Sequence, residues 1–151
     1  MYGQVDWPLL VFFCCLFIVM AGFAKTGLVE KMWLEMSPHL SLARATGVTS
    51  FTIFLVAGSN LLSNVPMVLL SGPYLDKLGY GELSWVLLAY ITTVAGNLTI
   101  LGSVANIIVA ERAKKDYALG FVEYLRFGFV STVLVLLGGV PTVFVFFWWW
   151  G

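Results

Sequence analysis

The sequence predicts an all-α polytopic membrane protein, and three observations carry that prediction. Of the 151 residues only 11% are charged while 60% are hydrophobic, where soluble domains run near a quarter and a half. The charged residues divide the chain into four uncharged blocks, each about long enough for a helix to cross the ~30 Å hydrocarbon core. Two of those blocks carry clustered Gly, Ser and Asn in their interiors, where a plain spanning helix has no need of them. The mean hydropathy of +0.95 agrees with this class. The formal net charge is zero, which leaves no electrostatic case for nucleic acid.

The first block opens after Asp6. Residues 1–6 contain no Lys or Arg, so the basic start of a cleavable signal peptide is absent and none is expected. Residues 7–27 read as a transmembrane helix. Cys14 and Cys15 are adjacent within it and fit small packing residues better than a disulfide or zinc pattern. Residues 28–37 follow, with the sequence LVEKMWLEM over Leu28–Met36. It has a charged and an apolar face, as an interfacial helix does, and Pro38 is placed to end it. His39 beside it reads as a surface residue.

The second block, 45–75, has about 31 uncharged residues, or roughly 46 Å as one straight helix. That is long for one crossing and short for two with a turn. Its interior reads GSNLLSNVP over Gly58–Pro66. Gly58 is suited to ending a helix. Ser63 or Asn64 can cap a second one, with Pro66 in a first turn that needs no amide. The block is therefore expected to be a re-entrant hairpin: a half-helix over 45–59, a polar tip at 59–64, and a second half-helix over 65–75 stopped by Gly72-Pro73.

The third block, within 83–113, poses the same problem. Gly96-Asn97 follows ten mostly apolar residues and Thr99 can cap the next segment, Ile100 to Arg112, so a broken transmembrane helix is expected. The segment Glu111–Arg126 gathers seven charged residues and reads as a loop plus an interfacial turn, with Glu123 and Arg126 spaced for a local ion pair. Residues 119–150 read as the last transmembrane helix. Its FFWWW end supplies the aromatics of a membrane belt. The positive-inside rule favours four plain spans, because that arrangement puts seven Lys/Arg on one side against Lys77 alone. The re-entrant arrangement gives four against four. Block lengths and the placement of the polar residues favour the second.

The four asparagines, Asn60, Asn64, Asn97 and Asn106, all lie in the two interrupted blocks, beside Gly58, Ser59 and Ser63 in one and Gly96, Gly102 and Ser103 in the other. Irregular backbone at membrane depth survives only inside protein or around a wet cavity. Two facing breaks would offer carbonyls to a cation and helix N-termini to an anion. Small polar residues also serve as glue between membrane helices, and that is the bland reading of any one of them. The clusters together favour binding, with Ser59, Asn60, Ser63, Asn64, Gly96, Asn97, Thr99, Gly102, Ser103 and Asn106 as candidate contacts to substrate or ion. Asn97-Leu98-Thr99 is formally a glycosylation sequon, but its apolar surroundings argue against a glycan. The sequence shows no nucleophile–base pair, metal-ligand spacing, phosphate loop or deep acid, so an enzyme is not expected.

GSNLLSNVP followed about thirty residues later by AGNLTILGSVANIIVAE resembles the second half of the ion-transporter superfamily. That group holds arsenite permeases, citrate and sodium/dicarboxylate symporters and some sodium/proton antiporters. VDWPLLVFFCCLFIVMAGFAKTGLVE is similar to the helix preceding that half's hairpin, and FVEYLRFGFVSTVLVLLG to its final helix. The resemblance implies two inverted repeats, each with a re-entrant hairpin and a broken helix, of which this chain would be the second. It implies sodium and substrate contacts at Ser63, Asn64 and Gly96–Thr99, with Gly102, Ser103 and Asn106 lining the second half of the broken helix. The family's hairpin tip often reads Ser-Asn-Thr, and here the third position is Val65. The missing hydroxyl leans away from dicarboxylates and towards the arsenite or other anion branch.

The expected function is accordingly the C-terminal half of a secondary active anion transporter. It would work by alternating access in the inner cell membrane, with sodium or a proton as coupling ion and no other cofactor. Its partners would be the lipid membrane, a small anion, and the missing first repeat, supplied by the same gene, a split gene or a second copy. The alternatives are an accessory membrane subunit without a site, whose backbone would be continuous through 58–66 and 94–99, and half of a sodium/proton antiporter.

Overall fold

The computed structural model describes residues 7–114 and 120–150. The expected loop positions Lys115 and Asp116, the start of the last helix at Leu119, and residues 1–6 with Asp6 lie outside the described residues. Among the described residues every regular element is helical. The chain divides into two compact units, Met1–Met36 and Ser37–Gly151.

In the first unit, helix α1 (Trp7–Ala24) is apolar all round and buries only Met20. A helix without a polar face belongs in apolar surroundings. Gly27 turns the chain at φ +71°, a conformation glycine reaches without a Cβ clash. The Thr26 hydroxyl donates to the Phe23 carbonyl and accepts from the Leu28 amide. It thereby supplies one of the amides left over at the start of helix α2 (Leu28–Met36). Val29 and Trp33 of α2 are buried while Glu30, Lys31 and Glu35 are exposed.

The second unit begins with a 3₁₀ turn at Ser37–His39, in which Pro38 and His39 are exposed. Helix α3 (Ala45–Leu62) and helix α4 (Asn64–Leu75) are separated by Ser63 alone. They fold back on one another, since a Cβ on Gly58 would meet the Met67 side chain, and the two positions flank Ser63. A short 3₁₀ turn at Asp76–Leu78 leads to helix α5 (Glu82–Ala95). A second 3₁₀ turn at Ile100–Gly102 precedes helix α6 (Val104–Ala113), and helix α7 (Phe121–Trp150) completes the unit.

Helix α5 is the centre of this unit and packs on α3, α4 and α7. Its buried residues are Ser84, Leu87, Leu88, Ile91, Thr92, Val94 and Ala95. The i, i+3, i+4, i+7 spacing among them gives one helical face. Phe51 and Leu55 of α3 and Met67, Leu70 and Leu75 of α4 complete the core against it. At the hairpin base, Trp85 Nε1 donates to Asp76 Oδ1 at 3.1 Å, and the Trp85 ring lies over Gly72, where a Cβ would sit 3.0 Å from it.

Three expectations about this region are corrected. Gly58 does not end a helix: α3 runs on to Leu62, and the missing side chain serves the close approach of Met67 instead. The polar tip 59–64 is therefore helical up to Leu62, because Ser59 and Asn60 find partners on α5 and need no loop. Gly72-Pro73 does not stop α4, which continues through Pro73 to Leu75. The proline removes one backbone donor, and burial of Gly72 and Leu75 holds the last turn in place.

Among the described residues three helices, α1, α3 and α7, are long and apolar enough to cross a membrane. Helix α7, at 30 residues and roughly 45 Å, carries Gly138, Gly139 and Pro141 within about one turn. Tyr90 of α5 packs directly on Gly139 and donates its hydroxyl to the Val135 carbonyl at 2.7 Å.

Candidate functional site

Two interruptions of the helical backbone define the candidate site. The first is Ser63, at φ 73°, ψ 159°, a region that a residue with a Cβ rarely occupies. It is at once the last residue of α3's cap and the first of α4's. Its carbonyl accepts from the Met67 amide at 3.1 Å and so starts α4. Asn64 Oδ1 accepts from the Val65 amide at 2.9 Å, and Pro66 occupies the first turn without needing an amide partner.

The second interruption runs from Gly96 to Ser103. The end of α5 tightens: the Asn97 and Leu98 amides reach back only three residues, to the Val94 and Ala95 carbonyls, at 3.0 Å each. Thr99 is extended (φ −132°, ψ 159°) and its hydroxyl accepts from the Gly102 amide. Ser103 is extended again (φ −146°, ψ 137°), and α6 starts after it. The Ser103 carbonyl accepts the Asn106 and Ile107 amides.

Side chains lock these interruptions to each other. Asn60 donates to the Ala95 carbonyl at 3.0 Å and to Val56 of its own helix at 2.9 Å. Its Oδ1 accepts from the Thr99 hydroxyl at 2.8 Å. Ser59, fully buried, donates to the Thr92 carbonyl at 3.3 Å. Asn106 donates to the Gly96 carbonyl at 2.6 Å and the Thr99 carbonyl at 3.3 Å. Gly102 has to be glycine, since a Cβ there would lie 2.7 Å from Asn60 Oδ1 and 3.0 Å from the Gly96 carbonyl. Asn60 lies one turn before Ser63, so the two interruptions are within about 5 Å along the α3 axis.

The ten candidate residues thus separate into two groups. Ser59, Asn60, Thr99, Gly102 and Asn106 are committed to holding the backbone, together with Gly96, whose carbonyl is taken by Asn106. Ser103 packs against Gly96, 3.3 Å from where a Cβ would stand. The rest keep polar atoms to spare. The Ser63 hydroxyl is buried and has no partner among the described residues. Asn64 uses only its oxygen, on its own neighbour. The Asn97 side chain is exposed. No charged residue occurs between 45 and 75 or between 83 and 110, and among the described residues no cluster of metal-ligating side chains exists. The site offers amides, hydroxyls and carbonyls, which suit a weakly charged or hydroxylated ligand and an alkali cation better than a transition metal.

Sequence reasoning missed the part played by α7. Gly128 lies directly against the Asn97 and Leu98 carbonyls, so the last helix backs the second interruption. Tyr124 of the same helix lies beside Asn106. Neither residue stands out in an apolar helix with several glycines and aromatics, and only the packing singles them out.

Comparison of the sequence with known proteins identifies relatives. Residues 1–95 match the citrate transporter family, CitMHS. A protein of Dictyostelium discoideum named as a transporter, arsB, is 43% identical over 148 residues, covering 93% of this chain and 26% of the relative. The silicon efflux transporter LSI3 of Oryza sativa subsp. japonica is 40% identical over 153 residues, covering 93% of this chain and 31% of the relative. A 46 kDa membrane protein of Mycobacterium leprae is 30% identical, with 91% of this chain and 34% of the relative covered. The chain therefore spans about a quarter to a third of the length of these relatives. No solved structure matches it. The family and the two named relatives are transporters, not enzymes, and the apolar helices make this a membrane protein. The match covers more than half of the sequence: the chain belongs to the citrate transporter family.

Proposed function

We propose that this chain is the second repeat of a secondary active transporter that moves an anion or metalloid oxyanion by alternating access. Helices α3 and α4 would form a re-entrant hairpin, α5 and α6 a broken transmembrane helix, and α2 an interfacial helix beside the span α1. Helix lengths support this. Helix α5 rises roughly 21 Å and α6 roughly 15 Å. Neither crosses the core alone, while their combined rise of roughly 36 Å exceeds the ~30 Å hydrocarbon core. That puts the Gly96–Ser103 interruption near the midplane, where broken-helix transporters bind their cargo. The bonds from Asn60 bring the hairpin tip to the same depth.

The observation that carries the proposal is the division of labour among the polar residues. An accessory subunit using small polar residues as glue would leave none of them idle at an irregular backbone. Here Ser63, Asn64 and Asn97 retain unpaired polar atoms at the two interruptions, which satisfied neighbours hold open. The α4 and α6 N-termini add partial positive charge for an anion, and the carbonyls around Gly96 and Thr99 would serve a coupling sodium ion. The names of the relatives favour metalloid oxyacids as cargo. The first repeat, from the same polypeptide, a separate subunit or a second copy, would complete the site in the inner cell membrane. Uptake or efflux of arsenite, silicic acid and citrate, measured in cells expressing the full gene product, tests this. Asn64→Ala and Asn97→Ala should each lower transport at least about tenfold, the effect of losing one well-placed hydrogen bond to a ligand. Unchanged transport in both variants overturns the reading.

A further inference from the structure

At the opposite end of the second unit from the interruptions, α3 and α7 diverge and leave a groove of about 620 Å³. Its walls include Val48 and Ile53 of α3 and Leu137, Val140 and Phe144 of α7. The two hydroxyls on its rim are turned away from it chemically: Thr49 donates to the Ala45 carbonyl and Thr52 to the Val48 carbonyl, both at 2.9 Å. Neither hydroxyl therefore has a hydrogen left to donate into the groove, whose walls are otherwise mostly apolar side chains. At one end it meets Arg44, an exposed residue with no ion pair among the described residues.

We propose that this groove holds one acyl chain of an anionic phospholipid, with the lipid phosphate on the Arg44 guanidinium. Three features select that occupant. The wall is apolar and lacks polar partners, as a hydrocarbon chain requires and an ordinary polar ligand does not. From Arg44 to Ile53 the groove runs roughly 13 Å along α3, long enough for a stretch of acyl chain to lie in it. Asn60 of α3 meets Ala95 and Gly128 of α7 meets Asn97, so Arg44 and the groove-lining Phe144 and Val145 both lie at the end away from the interruptions, and the exposed Trp148–Trp150 follow one turn later. This places the guanidinium at the level of an aromatic belt, where headgroups lie. A lone cation there attracts an anionic headgroup and has no use for a neutral one.

The test is native mass spectrometry of the purified protein released from nanodiscs of phosphatidylglycerol or of phosphatidylcholine. The wild type should retain one phosphatidylglycerol in preference to phosphatidylcholine, and free inorganic phosphate should not compete with it. Arg44→Gln should lower phosphatidylglycerol retention about five-fold, the factor one basic residue contributes at an anionic surface. Leu137→Trp, which fills the groove, should lower retention of both lipids, and Lys77→Gln should change neither. Equal phosphatidylglycerol retention by wild type and Arg44→Gln overturns the proposal. So does retention insensitive to Leu137→Trp, or a groove sealed by a second copy or another helix that leaves no bound lipid. None of these outcomes depends on transport activity.

Discussion

The Thr99 hydroxyl donates to Asn60 Oδ1 across 2.8 Å, and the amide of the same asparagine reaches the Ala95 carbonyl at 3.0 Å. One side chain thus fastens the hairpin to both sides of the second interruption. Inside a membrane, direct hydrogen bonds contribute about 0.6 kcal/mol on average and up to about 1.7. A double-mutant cycle of Asn60→Ala and Thr99→Val, read by chemical unfolding in bicelles, should return a coupling energy in that range. Additive effects would mean that the two residues act separately.

Glue and ligand residues should part company in stability. Asn60→Ala and Asn106→Ala each strip buried carbonyls of a partner and should destabilise the protein by about 1–3 kcal/mol. Asn64→Ala and Asn97→Ala remove no bond between elements and should stay within about 0.5 kcal/mol of wild type, even where transport is lost. A thermal unfolding series across the four variants checks the division.

Ser63 is held in a backbone region that costs a residue with a side chain about 1–3 kcal/mol. Glycine avoids that strain but loses about 0.5–1 kcal/mol more conformational entropy on folding. The balance predicts that Ser63→Gly is more stable than wild type by roughly 1 kcal/mol, while Ser63→Ala keeps the strain and gains nothing of this kind. Midpoints of chemical unfolding for the pair would show it. If transport falls in Ser63→Gly as well, the strain and the hydroxyl serve the site together.

Two glycines of α7 should respond in opposite directions to the same substitution. A Cβ at Gly128 would press on the Asn97 and Leu98 carbonyls, the latter at 2.6 Å. Backbone cannot step aside cheaply, so Gly128→Ala should destabilise by about 1–3 kcal/mol. Gly138 has nothing within 4 Å of its Cβ position. Gly138→Ala should be neutral or stabilising by up to about 1 kcal/mol, the helix-propensity difference. Melting temperatures of the two variants decide the matter.

What could be read from the sequence followed from one-dimensional physics. Charge spacing and apolar run length gave the all-helical membrane class, and cap chemistry located Thr99 as a cap, although it heads only the turn Ile100–Gly102 and the helix expected from Ile100 starts at Val104 after a second extended residue, Ser103. The misreadings came from tertiary packing. Gly58 and Gly72 look like helix stops in one dimension, but each is a contact point, for Met67 and Trp85 respectively. Pro73 survives inside α4 because its turn is buried. The sorting of the ten candidates into fasteners and free groups was also out of reach, since Asn60 and Asn64 each follow a serine in an apolar run and part company in what faces them. Gly128 and Tyr124 act from a helix that a charged stretch of sequence separates from the site.

Helix α7 is pinned at two levels, by the Asn97–Leu98 turn against Gly128 and by Tyr90 against Gly139. Just past the upper pin, Pro141 lacks the amide that would close on Leu137, so that carbonyl goes unbonded along the helix. Mechanical compliance is concentrated there. A displacement of the segment around Gly128, were the interrupted helix beside it to move, would be absorbed at this joint before it reached Trp148–Trp150. The tryptophan end can then act as a fixed mooring while the portion behind the site tilts.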